Sequence, residues 1–347
     1  MNRLMKACVI LEPRRYEIRE VEVPAPSAGE VLIQMKAAGV CGSDQHIFLG
    51  ENPCSRYPLI PGHENVGVVA AVGEGVANVE VVDHAVVDLI ITCGKCYQCT
   101  HGRENVCETV AVRGSSADGG WREYFTAPAD DVYRIDPNIP WRDAALIEPL
   151  AIGEHSTNRA RVSADDTVFI LGAGTIGTIV LQACKRRGAR VLCCDISDDS
   201  LRRARDAYGA DYTINGRTED VVSRVREITG GHGCTVAFDA ACFPGSLTSL
   251  FREGLVCNAG RIVPMGFCFP GQDARGSDLP PRRECAPAWR ARLIGAMPQI
   301  ELVLAIGQYA QAWHLGDQRR SSLTETVADW RTIFMRNTSP RVLPLPH

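Results

Sequence analysis

Four cysteines lie within fifteen residues of one another in the first third of the chain. They are Cys93, Cys96, Cys99 and Cys107. Thiolate sulfurs at this spacing can surround one tetrahedral Zn²⁺ at about 2.3 Å and leave no position open for a substrate. The spacing therefore predicts a structural zinc site, and an iron–sulfur site or a redox cluster is the alternative.

A second group of potential ligands is dispersed in the sequence and mixes sulfur, nitrogen and oxygen. It comprises Cys41, Ser43, His46, His63, Glu64 and Glu148. One thiolate, one imidazole and one carboxylate form the ligand set of a catalytic zinc that keeps a fourth position open. Taken singly, the same residues have ordinary interpretations as a buried cysteine, a turn histidine and a helix-capping glutamate.

A glycine-rich turn follows the apolar run at 168–171 and precedes a helical pattern at 178–187. Its residues are Gly172, Gly174, Thr175, Ile176 and Gly177, and Asp195 follows 18 residues later at the end of the next predicted strand. The glycines let a pyrophosphate approach the backbone at a helix N-terminus, and Asp195 can accept hydrogen bonds from a ribose diol. Because a carboxylate repels a 2′-phosphate, the pattern predicts NAD rather than NADP.

Two regions with different patterns of apolar residues must position these groups. Residues 6–40 alternate apolar and polar side chains between prolines and glycines, and valine-rich runs continue this β-rich pattern to about residue 140. Further along, apolar strands alternate with helical segments, which predicts a parallel, doubly wound sheet and an α/β fold. The predicted strands of this sheet cover residues 167–171, 190–194, 211–214, 235–239 and 261–265.

Composition excludes some classes of function. The chain has 347 residues, 45% hydrophobic content and a formal net charge of −4, so two globular domains are expected and no attraction to nucleic acid or to an anionic membrane. No apolar run reaches the length of a membrane span, and the N-terminus lacks the apolar core of a signal peptide. We therefore expect a cytoplasmic location.

In this order, the three groups of residues resemble the zinc-containing medium-chain dehydrogenases. The resemblance covers residues 4–267 and includes His63 and Glu64, the four-cysteine loop, residues 118–124 and Glu148 to Leu150. It implies a GroES-like, β-rich catalytic domain over residues 1–155 and a Rossmann NAD-binding domain over 156–267. It also implies one catalytic zinc, one structural zinc and a homo-oligomer.

The resemblance further implies a role for each candidate residue. Cys41 and His63 would ligate the catalytic zinc, while Glu64 and Glu148 compete for or alternate at the third place. Members of the two-cysteine type have a cysteine where this chain has Glu148, so the likeness is to the branch acting on sorbitol, related polyols, sugar acids and threonine. A polyol or sugar-acid substrate is therefore predicted.

Three more residues would handle the proton and the ligand geometry. By the same likeness, Ser43 contacts the substrate hydroxyl and Asp44 orients His63. His46 is either a proton relay or an ordinary surface histidine. The chain departs from the family pattern at Val82, where a glycine is usual, and at Ser200, where many members place an arginine over the adenine ribose.

Residues 268–347 have a different composition. They contain ten arginines, no lysine and seven acidic residues, and they resemble the C-terminal part of a uracil-DNA glycosylase family protein. The water-activating motif of that family is absent, so glycosylase activity is not expected. A divergent dehydrogenase ending is the alternative interpretation of this atypical C-terminal segment.

This tail sets the expectations for assembly and activity. We expect it to pack poorly on the first 267 residues, and we expect the strand near Leu302 to Ile306 to pair with the sheet beyond residues 261–265. Dimerisation would then be impaired. The leading hypothesis is an active dehydrogenase, and the alternative is a folded, inactive fusion that binds zinc and NAD without turnover.

Overall fold

The computed structural model describes residues 3–241, 250, 255–264, 302–306, 315, 320, 322–336 and 341–345. The chain divides into two compact units, Met1–His155 and Ser156–His347. Within the described ranges, no helix has the length and apolar character that crossing a bilayer requires.

The first unit is built from antiparallel strands, as its alternating sequence predicts. Its strands are β1 (Leu4–Glu12), β2 (Arg15–Glu22), β3 (Glu30–Ala38), β4 (Asn65–Val72), β5 (His84–Val87), β6 (Ile90–Ile91), β7 (Ala111–Val112), β8 (Tyr124–Pro128) and β9 (Val132–Arg134). The main sheet has the order β8-β3-β4-β5-β9, while β1 pairs with β2 and β6 with β7. Its inward side chains form a core around Ile33, Val69 and Phe125, all fully buried.

Three helices complete this part of the chain: α1 (Gly42–Leu49), α2 (Trp141–Ala144) and α3 (Ile147–Arg159). α1 begins four residues after the end of β3. The pairing of β3 with β4 ends at Ala38 opposite Asn65, and beyond it the N–H of Gly39 donates to the carbonyl oxygen of Glu64 at 3.0 Å. The loop before α1 and the segment before β4 therefore lie side by side.

The second unit contains the predicted parallel sheet. Its strands are β10 (Thr167–Leu171), β11 (Arg190–Asp195), β12 (Tyr212–Asn215), β13 (Cys234–Asp239) and β14 (Val256–Pro264), and its helices are α4 (Thr175–Arg186), α5 (Asp198–Asp206) and α6 (Val221–Ile228). The strand order is β12-β11-β10-β13-β14 with parallel pairing throughout. The predicted strands and the α/β fold class are confirmed.

The C-terminal strands pair differently from the prediction. β15 (Leu302–Ile306) is parallel to β16 (Arg341–Leu345), and the crossover between them contains α7 (Leu323–Ala328) and α8 (Trp330–Arg336). The expectation that residues 302–306 extend the sheet beyond β14 was wrong. β15 pairs instead with β16, which the helical crossover brings alongside it. Poor packing was expected for residues 268–347, most of which lie outside the described residues.

Candidate active site

The four cysteines of the predicted structural site converge. Their Sγ atoms all lie within 4.8 Å of one another, and Cys96 Sγ is 3.4 Å from Cys99 Sγ and 3.9 Å from Cys107 Sγ. The loop that carries them connects β6 to β7, whose pairing of Ile90 with Val112 closes its base. Four thiol sulfurs at these separations fit a tetrahedral Zn²⁺.

Backbone donors favour the thiolate form of two of these sulfurs, whereas burial raises the pKa of Cys99 to about 12. The N–H groups of Lys95 and Cys96 lower the pKa of Cys93 to about 6. The N–H groups of Cys93 and Thr109 lower the pKa of Cys107. Since the thiolate is the metal-binding form, this arrangement favours a metal ion.

A second group of ligand atoms forms where β3 and β4 run side by side. Cys41, His63 and Glu64 each offer one atom, and these atoms lie within 4.8 Å of one another. Cys41 directly precedes α1 with an extended backbone, and His63 and Glu64 directly precede β4. Sulfur, nitrogen and oxygen donors in one group are a suitable set for a zinc site with one open position.

Asp44 connects the helix end to the histidine. Its Oδ2 accepts the N–H of Cys41 at 2.8 Å, and its Oδ1 lies 3.7 Å from His63 Nδ1. Among the described residues, neither Asp44 Oδ1 nor His63 Nδ1 has a hydrogen-bond partner, and both atoms are buried. This carboxylate is therefore placed to orient the imidazole once the other ring nitrogen has a ligand.

The electrostatics of the group are those of a thiolate beside an imidazolium. The hydrogen bond with His63 lowers the pKa of Cys41. Burial opposes the charged form of His63, but the hydrogen bond with Cys41 and the charge of Asp44 prevail and raise its pKa to about 9. Burial also raises the pKa of Glu64.

Glu148 lies near this group without belonging to it. It is in the first turn of α3, and burial raises its pKa to about 7, with the charge of His63 lowering and that of Glu64 raising it. Its carboxylate is thus close enough to interact electrostatically with both side chains. The set of mutually close ligand atoms, however, contains Glu64 and not Glu148.

The two residues proposed to move a proton lie on α1. Ser43 hydrogen-bonds the thiol of Cys41, which places its hydroxyl beside the ligand group. His46 lies outside that group, with a side chain that is 64% exposed and a ring nitrogen 2.7 Å from Glu51. The pairing of His46 with Glu51 was not anticipated from the sequence, in which Gly50, a residue type that commonly ends helices, is the only local signal of a chain reversal.

Trp121 holds the two ligand-bearing segments together. Its Nε1–H donates to the carbonyl oxygen of Gly39 at 3.4 Å. Its ring also packs on Gly62, where φ is +96° and a Cβ would come within 2.1 Å of the indole Cδ1 atom. The indole therefore contacts Gly39, which lies before Cys41, and Gly62, which lies before His63. The sequence analysis did not predict this contact.

The glycine-rich turn has the geometry of a phosphate-binding loop. Gly172 has φ +97°, and a Cβ on Gly177 would lie 1.8 Å from the carbonyl oxygen of Gly172, so the turn and α4 are in close contact. At Gly174 a Cβ would meet nothing within 4 Å. Open space at the N-terminus of α4 leaves room for a pyrophosphate to approach the backbone at Thr175 and Ile176.

Asp195 ends β11 beside this turn. Its carboxylate accepts the N–H of Ala173 at 2.7 Å and that of Ser197 at 2.9 Å, so its position is fixed by backbone on both sides. Ser200, on α5, accepts a hydrogen bond from Arg203 at 3.2 Å. Position 200 itself lacks a guanidinium, but Arg203 supplies one about one turn further along α5.

Comparisons with known proteins identify the family of the chain. The model of the alcohol dehydrogenase GroES-like domain matches residues 27–137, and the model of the zinc-binding dehydrogenase matches residues 175–296. The starvation-sensing protein RspB of Escherichia coli (strain K12) is 40% identical over 267 residues, which are 76% of this chain and 77% of that protein. The chain belongs to the zinc-type medium-chain alcohol dehydrogenase family.

Two further relatives in this family are informative. Sorbitol dehydrogenase of Bacillus subtilis (strain 168) is 33% identical over 281 residues, covering 80% of this chain and 78% of that protein. The crystal structure of the alcohol dehydrogenase rspB from E. coli CFT073, in complex with NADH, superposes with a TM-score of 0.71, 33% identity and 98% coverage of each chain. The solved neighbours of this chain thus include one with NADH bound and one, a zinc-binding dehydrogenase of Sinorhizobium meliloti 1021, with NADP bound.

Proposed function

We propose that this protein is a zinc-dependent, NAD-linked dehydrogenase that oxidises a secondary alcohol on a polyol or a sugar acid. The observation that carries the proposal is the ligand group itself, in which one thiol and one imidazole are joined by the carboxylate of Glu64. The feature that the sequence shares with the polyol branch is Glu148, which stands where the two-cysteine type has a cysteine and which lies near this group. The similarity to a sorbitol dehydrogenase supports the same substrate class.

The donor atoms determine which residues would hold the metal ion. Cys41 Sγ, His63 and Glu64 form the ligand set, and Glu148 is the nearby carboxylate that alternates with Glu64 or remains beside it. The four cysteines of the β6–β7 loop would hold the second, structural zinc. When bound at the open site, zinc acts as a Lewis acid that makes a substrate hydroxyl more acidic.

The chain's own side chains then manage the proton and the charge. Ser43 lies beside Cys41 and is placed to accept the hydroxyl proton from a substrate and to pass its own proton onward to His46. Asp44 orients His63. Burial of His63 and partial burial of Cys41 and Glu64 limit access of water to the ligand group.

The second unit would hold the cofactor. Gly172, Gly174 and Gly177 form the turn for the pyrophosphate, and Asp195 accepts hydrogen bonds from the ribose diol. NAD bound there would supply the hydride acceptor for oxidation of the substrate alcohol. A carboxylate at position 195 favours NAD because it would repel the 2′-phosphate of NADP.

One observation favours a second candidate, a folded protein that binds zinc and NAD without turnover. Among the described strands, β15 pairs with β16 instead of extending the sheet of the second unit. Four further points remain predictions. They are the division into residues 1–155, 156–267 and 268–347, the glycosylase-like interpretation of the last segment, impaired oligomerisation and a cytoplasmic location.

A substrate panel tests the proposal. Zinc-loaded protein is assayed with polyols, aldonates, threonine and short primary alcohols in the presence of NAD, and NADH formation is followed by its absorbance. We expect turnover on a polyol or an aldonate that is lost in Cys41→Ser and kept in Cys54→Ser, since Cys54 is an exposed cysteine outside both ligand groups. Turnover on primary alcohols alone would exclude the polyol assignment, and binding of both cofactors without any turnover would support the inactive alternative.

A further inference from the structure

The end of α1 places an acidic side chain against the relay histidine. The N–H of Gly50 donates to the carbonyl oxygen of Ile47 at 3.1 Å, and the N–H of Glu51 donates to that of His46 at 2.8 Å. Gly50 is in the left-handed conformation with φ +79°. These two bonds form a Schellman motif, which reverses the chain and brings Glu51 back beside His46.

The surrounding backbone keeps this reversal in place. A Cβ on Gly50 would come within 2.7 Å of Pro13 Cγ, so only glycine fits at the turn. The N–H of Arg14 donates to the carbonyl oxygen of Phe48 at 2.6 Å, which ties the end of α1 to the turn between β1 and β2. Glu51 is therefore positioned by the fold and not by a freely moving loop.

The contact determines which ring nitrogen of His46 carries a proton. Glu51 Oε2 lies 2.7 Å from His46 Nδ1. A carboxylate is only an acceptor, so Nδ1 must be the N–H donor, and in the neutral ring Nε2 is left as a proton acceptor. Ser43 is three residues before His46 on α1, and side chains at this spacing are neighbours on a helix surface.

We propose that Glu51 is the positioning residue of a proton relay that runs from Ser43 to His46. The carboxylate of Glu51 holds Nδ1 as the donor, so that Nε2 of His46 receives the proton. This inference rests on the proposed function, because a relay has a task only if a substrate hydroxyl is oxidised.

The proton transfer is balanced at every step. Ser43 takes one proton from the substrate hydroxyl and releases its own, directly or through one bridging water, to His46 Nε2. The resulting imidazolium, stabilised by the adjacent carboxylate, returns one proton to water. Because the His46 side chain is 64% exposed, solvent can take up that proton without a further protein group.

A tautomer measurement tests the contact independently of activity. The protein has eight histidines, and long-range ¹H–¹⁵N correlation of ¹⁵N-histidine protein reports the tautomer of each, with His46 assigned by loss of its signal in His46→Asn. We expect the Nδ1–H tautomer in the unmodified protein and in Glu51→Gln, whose amide oxygen still accepts a bond. Glu51→Ala should contain both tautomers. An Nε2–H tautomer in the unmodified protein would overturn the proposal.

Single-turnover kinetics test the relay itself. With zinc and NAD bound, Glu51→Ala should form NADH about threefold to tenfold more slowly, and added imidazole should restore the rate. Glu51→Gln should lie close to the unmodified protein, and Glu20→Ala, which removes an exposed acid from β2, should not change the rate. An unchanged rate in Glu51→Ala would refute the relay role. If the unmodified protein turns over no substrate, the proposed function fails, whereas the tautomer measurement still decides the contact.

Discussion

The carboxylate of Glu64 lies directly over the Cα atom of Gly39. A Cβ on Gly39 would come within 1.6 Å of Glu64 Oε2, and the two residues are already joined by the backbone bond that follows the β3–β4 pairing. Gly39 is not among the glycines with positive φ. Space for the carboxylate, and not backbone conformation, therefore requires glycine at this position.

Gly39→Ala should consequently displace the carboxylate of Glu64 while leaving the fold intact, since the end of a glutamate side chain is flexible. If Glu64 is the third ligand, we expect the catalytic zinc to bind about tenfold to a hundredfold more weakly, while the structural zinc remains. Zinc content after dialysis against a weak chelator measures the effect. Gly42→Ala is the matched control, because a Cβ on Gly42 meets nothing within 4 Å. Retention of both zinc ions in Gly39→Ala would instead assign the third place to Glu148.

The two ligand groups differ in how much the sequence could predict. The four cysteines lie in one loop, so their spacing alone indicated their convergence. Cys41 and His63 come together only because β3 pairs with β4, and alternation along a strand predicts its faces but not its partner. The choice between Glu64 and Glu148 was therefore left open by the sequence.

The difference between contacts that are local in sequence and contacts that depend on strand pairing also holds for other parts of the chain. The glycine-rich turn and Asp195 follow two adjacent parallel strands joined through α4, and the predicted parallel sheet that carries them was confirmed. β15 was assigned the wrong partner, because an apolar strand fits any sheet edge and its actual partner, β16, lies beyond α7 and α8. The contact of Glu51 with His46 depends on a single left-handed residue, whose effect on side-chain placement is visible only in three dimensions.

Zinc binding at the open site should depend on pH. Without metal, the hydrogen bond with Cys41 and the charge of Asp44 hold the pKa of His63 at about 9 despite its burial. Below that pH the imidazole carries a proton that zinc must displace, so affinity should rise with pH and level off above about 9. Calorimetry in buffers of different ionisation enthalpy counts the protons released at neutral pH. His232→Asn, at an exposed histidine of the second unit, should leave this release unchanged. An affinity independent of pH would contradict the prediction.

The carboxylate of Asp195 should determine cofactor preference. Asp195→Ser removes the charge that opposes a 2′-phosphate and one acceptor for the ribose diol, so we expect the ratio of NAD to NADP affinity to fall by about tenfold or more. Fluorescence titration with NADH and NADPH gives both dissociation constants. Asp206→Ser, at the end of α5 and paired only with a neighbouring arginine in the contacts of this region, is the control. An unchanged ratio in Asp195→Ser would remove this residue from ribose recognition.

Val82 stores backbone strain at the turn before β5. Its φ is +75°, a left-handed conformation that is unfavourable for a β-branched side chain. Its side chain is 75% exposed, so packing contributes little to compensate. The turn is nevertheless fixed, because the N–H of Val82 donates to the carbonyl oxygen of Val69 at 2.9 Å and that of Glu80 donates to the carboxylate of Asp83 at 2.8 Å.

Val82→Gly should therefore stabilise the protein. Relief of the left-handed strain is worth about 1 to 2 kcal/mol, and the greater freedom of glycine in the unfolded chain offsets about half of it, which leaves a gain of about 1 kcal/mol. Val81→Gly is the matched control, because this adjacent valine is also exposed but lacks a positive φ, so the substitution has only the entropic cost and should destabilise. Urea unfolding of the zinc-loaded protein, with both midpoints compared at the same slope, separates the two outcomes. Equal destabilisation by both substitutions would show that the turn at Val82 is not strained.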